Sequence, residues 1–382
     1  MPLQDLVDAF SAPALTAAGV GLAVALVTAV LLVLTKRWHG ALTNDDTQGI
    51  QKFHCVPTPR VGGVAIVMGL LASLAFAPDD VQDLLWPVVL AGMPAFIFGL
   101  AEDITKRVGV LPRLWATMAS GLLACWLTDQ SLSRVDVAPL DWLLKFSLVS
   151  VLFTVFAVGG VANAINIIDG FNGLASTMAG LAFAGYALLA WQANDMALAS
   201  AALVLAACVW GFFWVNWPLG KLFLGDGGSY FVGFALAWTA VLLIERNPDV
   251  SAFAVLLVCV HPVTEVLFSV YRRRIKRMSP GQPDRLHFHS LFKKRYARRW
   301  FAQSSSVMRN SMTGLLMGGM TIVAVVLAVI TIHSVWLSAL ALLGLVLGYV
   351  ALYARMVRYH WCSPIAFLLT KPRGMLVRNP LP

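Results

Sequence analysis

A succession of apolar runs most constrains this chain, because a run of about 20 apolar residues spans a bilayer as one α-helix. Of its 382 residues, 59% are hydrophobic and only 12% are charged, whereas about a quarter of a soluble globular chain is charged. The sequence therefore predicts an all-α integral membrane protein, folded as one polytopic domain over 1–382 with about eleven transmembrane helices. The predicted spans are 13–35, 62–78, 84–101, 111–128, 144–162, 171–191, 196–215, 228–244, 251–270, 313–333 and 335–354.

The basic residues predict the orientation of these spans. The segment Met1 to Asp8 lacks the Lys or Arg that a cleaved signal peptide carries, so the first span is expected to be retained. Placing loop 36–61 in the cytoplasm also places there a long basic loop, 271–311, and the tail 355–382. Of the 28 Lys and Arg residues, all lie on that side except Arg134, Lys145 and Arg246. This asymmetry predicts a multi-pass protein of the inner (plasma) membrane, with the N-terminus periplasmic and the C-terminus cytoplasmic.

The net charge of +9 is thereby explained by topology, and no nucleic-acid partner is predicted. A set of carboxylates lies in or beside the same cytoplasmic segments, among basic, amide and glycine residues. It comprises Asp45, Asp46, Glu102, Asp103, Asp169, Asp226, Glu265 and Asp284. Such a gathering on one membrane face predicts a cytoplasmic-face active site that holds a metal ion and an anion together. The five cysteines form no CxxC pair, so neither a disulfide nor a cysteine zinc site is predicted.

The segment 163–173 carries the densest polar pattern between two apolar runs. Asn163, Asn166, Asp169 and Asn172 recur at every third residue, which places neighbouring side chains along one drifting stripe of a helix. Polar groups near a bilayer are costly, and they usually mark a functional site. The alternative is a polar turn between two spans.

Two further cytoplasmic segments carry candidate phosphate and metal contacts. In the first loop, prolines precede Arg60, and both Lys52 and Arg60 are candidates for phosphate binding; ordinary positive-inside anchoring is the alternative. Glu102 and Asp103 end the third span as an acidic pair, whose mutual repulsion a divalent cation or Lys106 would relieve. A solvated helix end is the alternative for this pair.

The remaining two segments are rich in glycine or histidine. Asp226 is surrounded by three glycines, which let backbone N–H groups approach an anion while the carboxylate binds a hard cation. In the basic loop, Arg285 precedes His287 and His289. A zinc site would need further ligands at suitable spacing, which the sequence does not place nearby, so phosphate recognition is the favoured interpretation.

Taken in order, these motifs resemble one enzyme family over residues 36 to 295. They read Pro-x-Pro-Arg-x-Gly-Gly, an acidic pair, Asn-x-x-Asn-x-x-Asp-Gly-x-x-Gly-Leu, Gly-Asp-x-Gly-Ser and Pro-Asp-Arg-x-His-x-His. The ordered set resembles the polyprenyl-phosphate N-acetylhexosamine-1-phosphate transferases of glycosyltransferase family 4, in their WecA-like branch. It differs more from the MraY-like peptidoglycan branch.

The resemblance implies transfer of N-acetylhexosamine-1-phosphate from a UDP-sugar to undecaprenyl phosphate at the inner leaflet, with release of UMP. This transfer would start a lipid-linked surface glycan, and N-acetylglucosamine is the default sugar. Mg²⁺, or alternatively Mn²⁺, would screen the phosphates. The implied metal ligand is Asp226, and the implied catalytic residues are Glu102, Asp103 and Asp169. The implied substrate-binding residues are Lys52, Arg60, Lys106, Asn163, Asn166, Asn172, Arg285, His287 and His289.

Three positions depart from the family pattern. Glu102 stands where the first of two aspartates is usual, Asn172 replaces an acid, and Ser290 replaces a third histidine. The longer reach of Glu102 puts its role in question, and Asn172 leaves Asp169 as the acid of that motif.

Other functions remain open from the sequence. They are an MraY-like phospho-MurNAc-pentapeptide transferase, a multi-span transporter and a lipid-carrier-binding protein without turnover. A transporter would favour acids at span centres and repeated halves, whereas here the acids gather at one face. The expected partners are undecaprenyl phosphate, a UDP-N-acetylhexosamine and the lipid bilayer, and a homodimer is left open.

Overall fold

The computed structural model of the chain describes residues 10–45, 57–275 and 286–358. Within those ranges the protein is helical apart from a short antiparallel ladder, in which β1 (Asn44–Asp45) pairs with β2 (Thr58–Pro59). Two predicted phosphate contacts, Lys52 and Arg285, lie outside the described residues, as does the predicted tail from 359 onward.

Seventeen α-helices and one π-helical turn follow one another along the described chain. The first seven are α1 (Ala12–Leu34), α2 (Lys36–Thr43), α3 (Gly62–Leu74), α4 (Asp79–Thr105), α5 (Val110–Thr128), α6 (Ala138–Leu144) and α7 (Ser147–Ile168). The next five are α8 (Leu174–Gln192), α9 (Met196–Asn216), α10 (Gly225–Arg246), α11 (Ala252–Val258) and α12 (Val260–Ile275). The last are α13 (Phe288–Phe292), the π-helical turn Lys293–Ala297, α14 (Arg298–Trp300), α15 (Ser306–Gly319), α16 (Thr321–Thr331) and α17 (Val335–Val357). The predicted basic loop 271–311 is therefore partly helical.

Local sequence signals explain where several of these helices begin. The Ser11 side chain accepts a hydrogen bond from the Ala14 N–H, and the Asp195 carboxylate accepts one from the Leu198 N–H. Ser305 and Ser334 cap α15 and α17 in the same manner. Short polar side chains at these positions satisfy backbone donors that the first helical turn leaves unpaired.

The number of spans is smaller than predicted. In the described part of the chain, nine helices are long and apolar enough to cross a membrane, and α11 with α12 makes ten if a pair bent by 81° counts as one span. The prediction of eleven is not confirmed, because the predicted span 62–78 contains a helix of only 13 residues, α3. At about 1.5 Å per residue, α3 is about 20 Å long, which is short of a hydrocarbon core of about 30 Å.

The helix α10 lies at the centre of the bundle, and 94% of the residues in its most apolar stretch are buried. It packs against α3, α4, α7 and α8. Glycines allow the closest of these contacts, because a Cβ atom at Gly63 would lie 2.3 Å from the Gly228 Cα atom. The outer helices expose large apolar side chains instead, such as Trp336 and Leu148. A polar-poor outer surface of this kind is the lipid-facing surface of a multi-pass membrane protein.

Polar side chains gather at the two ends of α10. The segment before α3 and the C-terminal ends of α4 and α7 meet the N-terminal end of α10 around Asp226, which we call the Asp226 end. The loops between α5 and α6 and between α10 and α11 meet at the other end around Arg134, which we call the Arg134 end.

Candidate active site

Backbone hydrogen bonds hold the Pro-x-Pro-Arg-x-Gly-Gly motif at the Asp226 end. The Phe223 N–H donates to the Pro59 carbonyl at 2.8 Å, and the Gly62 and Gly63 N–H groups donate to the Phe223 and Leu224 carbonyls at 2.9 and 3.0 Å. These bonds fix the segment around Arg60 directly beside the start of α10. Two motifs about 160 residues apart in sequence therefore form one structural unit.

Asp226 is bound by side chains from three different parts of the chain. One carboxylate oxygen accepts hydrogen bonds from Arg60 Nη2 at 3.1 Å and from Asn166 Nδ2 at 2.9 Å. The other oxygen pairs with the Arg113 guanidinium from α5. The same Asn166 amide also donates to the Ser229 hydroxyl at 2.9 Å. The structure thus brings the predicted residues Arg60, Asn166 and Asp226 together.

Asp103 is engaged by the backbone rather than open to a substrate. It is fully buried, and its two oxygens accept the Asp226 and Gly227 N–H groups, both at 2.9 Å. Arg60 Nε lies 3.4 Å from one of these oxygens. A carboxylate that accepts N–H groups at a helix start satisfies their unpaired donors and complements the helix dipole. Asp103 therefore positions the start of α10, and the catalytic role that the resemblance implied for it stays a prediction.

Asp169 directly follows α7 and faces the same helix start. Burial raises the pKa of its carboxyl to about 7, against the opposing effects of Arg60 and of hydrogen bonding from the Gly225 N–H. Gly225 adopts a φ of +78°, and a Cβ atom there would lie 1.9 Å from the Arg60 carbonyl oxygen. Only glycine permits this backbone path, which brings Arg60 and Asp169 to the start of α10.

The other half of the acidic pair turns away from this centre. Glu102 accepts a hydrogen bond from the Val108 N–H at 2.7 Å, which closes the turn between α4 and α5. Lys106 caps α4 in the left-handed conformation, with φ of 57°, and its ammonium group donates to the Asp103 carbonyl oxygen. Its side chain is exposed, so Lys106 lies at the rim of the site.

The two predicted histidines stand beside the loop that follows α7. His287 and His289 stack with ring centroids 5.4 Å apart, and the His289 ring meets the edge of Phe171 at 5.1 Å. Burial lowers the pKa of His289 to about 3, although Glu265 opposes this shift, so the His289 imidazole is neutral near pH 7. His287 Nδ1 lies 2.9 Å from a carboxylate oxygen of the buried Glu265.

The remaining amides of the first polar segment take different positions. Asn172 is buried, and its amide donates to the Ser311 hydroxyl of α15 at 3.1 Å. The predicted substrate-binding role of Asn172 stays a prediction, and in this structure the side chain packs against α15. Asn163 lies partly exposed on α7, one turn before Asn166.

Several site residues were missed by the sequence analysis. Arg113 was counted there only as a basic residue of its loop, although it pairs with Asp226. Glu265 was grouped with the cytoplasmic acids without a role. Ser229 belonged to a motif but had no assigned contact. Only Arg113 carried a usable signal, as a cation in the segment that follows the acidic pair.

The donor set fits a divalent cation that arrives together with phosphate. Mg²⁺ prefers oxygen ligands and is commonly held by one or two carboxylates plus substrate phosphates, and Asp226 and Asp169 supply such oxygens. In the described ranges, no three His, Cys, Asp or Glu side chains lie close enough to hold an ion by themselves. A cation at Asp226 would replace Arg60 or Arg113 as its partner, since both carboxylate oxygens are paired with guanidinium groups.

The fold and this site define a class: a multi-pass helical membrane protein with a carboxylate and arginine centre at the glycine-rich start of a buried helix. Residues 85–244 match the model of glycosyl transferase family 4. This match and the curated relatives confirm the predicted resemblance to this family in its WecA-like branch.

Three curated relatives of this chain are each named "undecaprenyl-phosphate alpha-N-acetylglucosaminyl 1-phosphate transferase". The Salmonella typhi protein is 25% identical over 72% of this chain and 76% of its own length. The Yersinia pestis protein is 25% identical and the Escherichia coli (strain K12) protein 26% identical, each over 64% of this chain and 68% of its own length.

Proposed function

We propose that this protein transfers an N-acetylhexosamine-1-phosphate, in the first instance N-acetylglucosamine-1-phosphate, from a UDP-sugar to undecaprenyl phosphate. A phosphate oxygen of the lipid attacks the β-phosphorus of the UDP-sugar, and the bond from that phosphorus to the bridging oxygen breaks. UMP leaves with the bridging oxygen, and the lipid carries the sugar on a diphosphate. The observation that carries this proposal is the pairing of Asp226 with two arginines at the start of α10, in a chain that resembles this family.

The two arginines are the groups that would bind the diphosphate. Arg60 and Arg113 form ion pairs with the Asp226 carboxylate. They lie at a helix N-terminus, where backbone N–H groups favour an anion. Asp226 and Asp169 would hold Mg²⁺ or Mn²⁺, which would neutralise charge on the phosphates during transfer. Asn166 orients Asp226 through its amide, and Asp103 fixes the backbone from which Asp226 projects.

The lipid phosphate needs no dedicated base in this scheme. A phosphate monoester has a second pKa of about 6, so it is mostly a dianion at neutral pH. Asp103 has both oxygens engaged by backbone N–H groups, and Glu102 closes a turn. Catalysis then depends on positioning and charge neutralisation, which are the main contributions in phosphoryl transfer.

The location of the reaction follows from the basic residues. The Asp226 end lies on the side that the positive-inside rule assigns to the cytoplasm, where UDP-sugars are made. The proposed setting is the inner membrane, with the N-terminus periplasmic and the C-terminus cytoplasmic. The relatives' shared activity favours the N-acetylglucosaminyl branch over the MraY-like alternative.

The test is UMP release by the purified full chain with undecaprenyl phosphate and a panel of UDP-N-acetylhexosamines, each with Mg²⁺ and with a chelator. We expect UMP with one UDP-sugar, dependent on both the lipid and the metal. UMP formed without the lipid would indicate hydrolysis and contradict the transfer. No UMP from any UDP-sugar, in a sample that remains folded, would contradict the proposed function.

A further inference from the structure

Glu265 is a buried carboxylate that gathers three hydrogen-bond donors from two separate parts of the chain. One oxygen lies 2.9 Å from His287 Nδ1. The other accepts the Phe288 N–H at 3.1 Å and the Tyr349 hydroxyl at 2.8 Å. Glu265 itself is 0% exposed and belongs to α12, just after the 81° bend. It therefore joins α12, α17 and the segment that enters α13.

These donors define the proton arrangement on His287. A carboxylate that accepts two or three hydrogen bonds is stabilised in its ionised form, and an ionised carboxylate can only accept. The proton between Glu265 and His287 must therefore reside on Nδ1 of the imidazole. In the neutral ring this leaves Nε2 as the nitrogen with a lone pair. The carboxylate fixes both the tautomer and the plane of the ring.

The fixed ring reaches the proposed active site through one further contact. His287 stacks on His289 with an interplanar angle of 11°. A Cβ atom built on Gly170 would lie 3.7 Å from His289 Nε2, and Phe171 meets the His289 ring edge-on. Gly170 and Phe171 directly follow Asp169. The orientation of the histidine pair is thus passed to the loop that carries Asp169.

We propose that Glu265 is a positioning residue, which acts through His287 by holding its Nδ1–H tautomer and keeping the histidine pair against the Asp169 loop. The inference rests on the proposed function for its kinetic consequence, whereas the tautomer itself is a property of the substrate-free protein. Carboxylates that orient a functional histidine commonly contribute about 10- to 100-fold to activity.

The kinetic test is a double-mutant cycle in the UMP-release assay. Glu265→Gln keeps the shape of the side chain and removes its charge, and His287→Ala removes the ring. We expect Glu265→Gln to lower kcat by about 10- to 100-fold, with the KM for the UDP-sugar changed by less than about threefold. In the His287→Ala background the same change should lower kcat by less than about threefold, because the ring through which Glu265 acts is gone.

Tyr349→Phe is the matched control, because it removes another hydrogen bond to the same carboxylate without touching His287. We expect kcat within about twofold of the unaltered protein, since the tautomer is kept. An equal loss from Glu265→Gln in both histidine backgrounds would overturn the proposal, as would a loss from Tyr349→Phe as large as that from Glu265→Gln.

A spectroscopic measurement covers the case in which Glu265→Gln does not fold and separates this inference from the proposed function. The unaltered protein, labelled with ¹⁵N in its seven histidines, is studied without substrate, and the signals lost in His287→Gln assign His287. We expect a protonated Nδ1 and an unprotonated Nε2 near pH 8. A protonated Nε2 with an unprotonated Nδ1 would overturn the inference, whether or not the protein turns over UDP-sugar.

Discussion

The two ends of α10 both carry buried or partly buried charges, but they pair those charges with different groups. At the Asp226 end, the carboxylate is held by the side chains of Arg60, Asn166 and Arg113. At the Arg134 end, one guanidinium nitrogen of Arg134 donates to the carbonyl oxygens of Ile244, Asn247 and Val250 at 3.2, 3.0 and 2.8 Å.

This difference distinguishes a site that can bind a ligand from a contact that only holds loops together. Side-chain partners can rotate away and pair with a phosphate, so the charges of the Asp226 end remain available for exchange. Carbonyl partners cannot leave without unfolding the loop that carries them, so Arg134 serves to tie the loops together. Asp136 strengthens this contact between the loops, because its carboxylate oxygens accept hydrogen bonds from Arg134 at 2.8 Å and from the Ala252 N–H at 2.6 Å. The four predictions below test this contrast.

The largest effect is expected from Asp226→Asn. The substitution keeps the shape of the side chain but removes the charge that pairs with the two arginines and that, in the proposed function, would bind the cation, so kcat should fall by about 1,000-fold or more. The thermal midpoint should change little. UMP release and thermal unfolding in detergent measure the two quantities.

The matched control for this change is Asp195→Asn at the opposite end of α10, where Asp195 pairs with Arg246 at 2.6 Å. Activity should be retained there. A similar loss of turnover in both variants would remove the contrast between the two ends.

A smaller loss is expected from Arg113→Ala, with exposed Arg107→Gln as the control for loss of one positive charge in the same region. Removing a guanidinium that meets the diphosphate should lower kcat/KM by about 10- to 100-fold. The control should stay within about threefold, because solvent screens its charge. Equal losses in the two variants would show that Arg113 acts only through long-range charge. Steady-state kinetics with varied UDP-sugar makes the measurement.

A pH-dependent effect on stability is expected from Asp169. Its folded pKa of about 7 lies above the ordinary value of 3.8. Its contribution to stability is therefore fully present below pH 3.8 and is lost as pH rises through about 7. Asp169→Asn does not titrate, so the thermal midpoint of the unaltered protein, relative to this variant, should fall between pH 5 and pH 8. The comparison is made in chelator without substrate. A difference between the two midpoints that stays constant with pH would contradict the assigned pKa.

The smallest effect on catalysis, but a clear effect on stability, is expected from Arg134→Met. Methionine keeps much of the apolar stem and leaves three carbonyls and Asp136 without their donor. We expect a loss of about 3 kcal/mol in unfolding free energy. The kcat of the folded protein should be unchanged, as measured after removal of aggregates. A specific loss of kcat with an unaltered thermal midpoint would make the Arg134 end part of the site.

The membrane class and the residues around Asp226 could be predicted because their signals are local. Long apolar runs indicate spans, and glycines beside Asp226 indicate a close backbone approach. The partners of Arg113 and Glu265 could not be assigned, because they lie more than twenty residues away in sequence or on another helix. The contact of Asn172 with α15 could not be predicted either, since nothing in the neighbouring sequence shows that α15 encloses this side chain.

The acidic pair also shows that the sequence does not reveal which groups a side chain contacts, even for two adjacent residues. Two adjacent acids read alike in sequence, but one caps the start of α10 and the other closes the turn after α4. The count of eleven spans is not confirmed in the described part of the chain for a related reason, because apolar composition does not reveal that α3 ends after 13 residues.

The most direct test of the central claim follows the β-phosphorus of the UDP-sugar. The full chain is supplied with undecaprenyl phosphate, Mg²⁺ and UDP-N-acetylglucosamine labelled with ³²P at the β-position, and the lipid and aqueous phases are separated. Transfer of a sugar-1-phosphate predicts that the label enters the lipid phase in step with UMP release, and that Asp226→Asn prevents both. Label that stays in the aqueous phase as UDP, while the sugar alone reaches the lipid, would contradict the account.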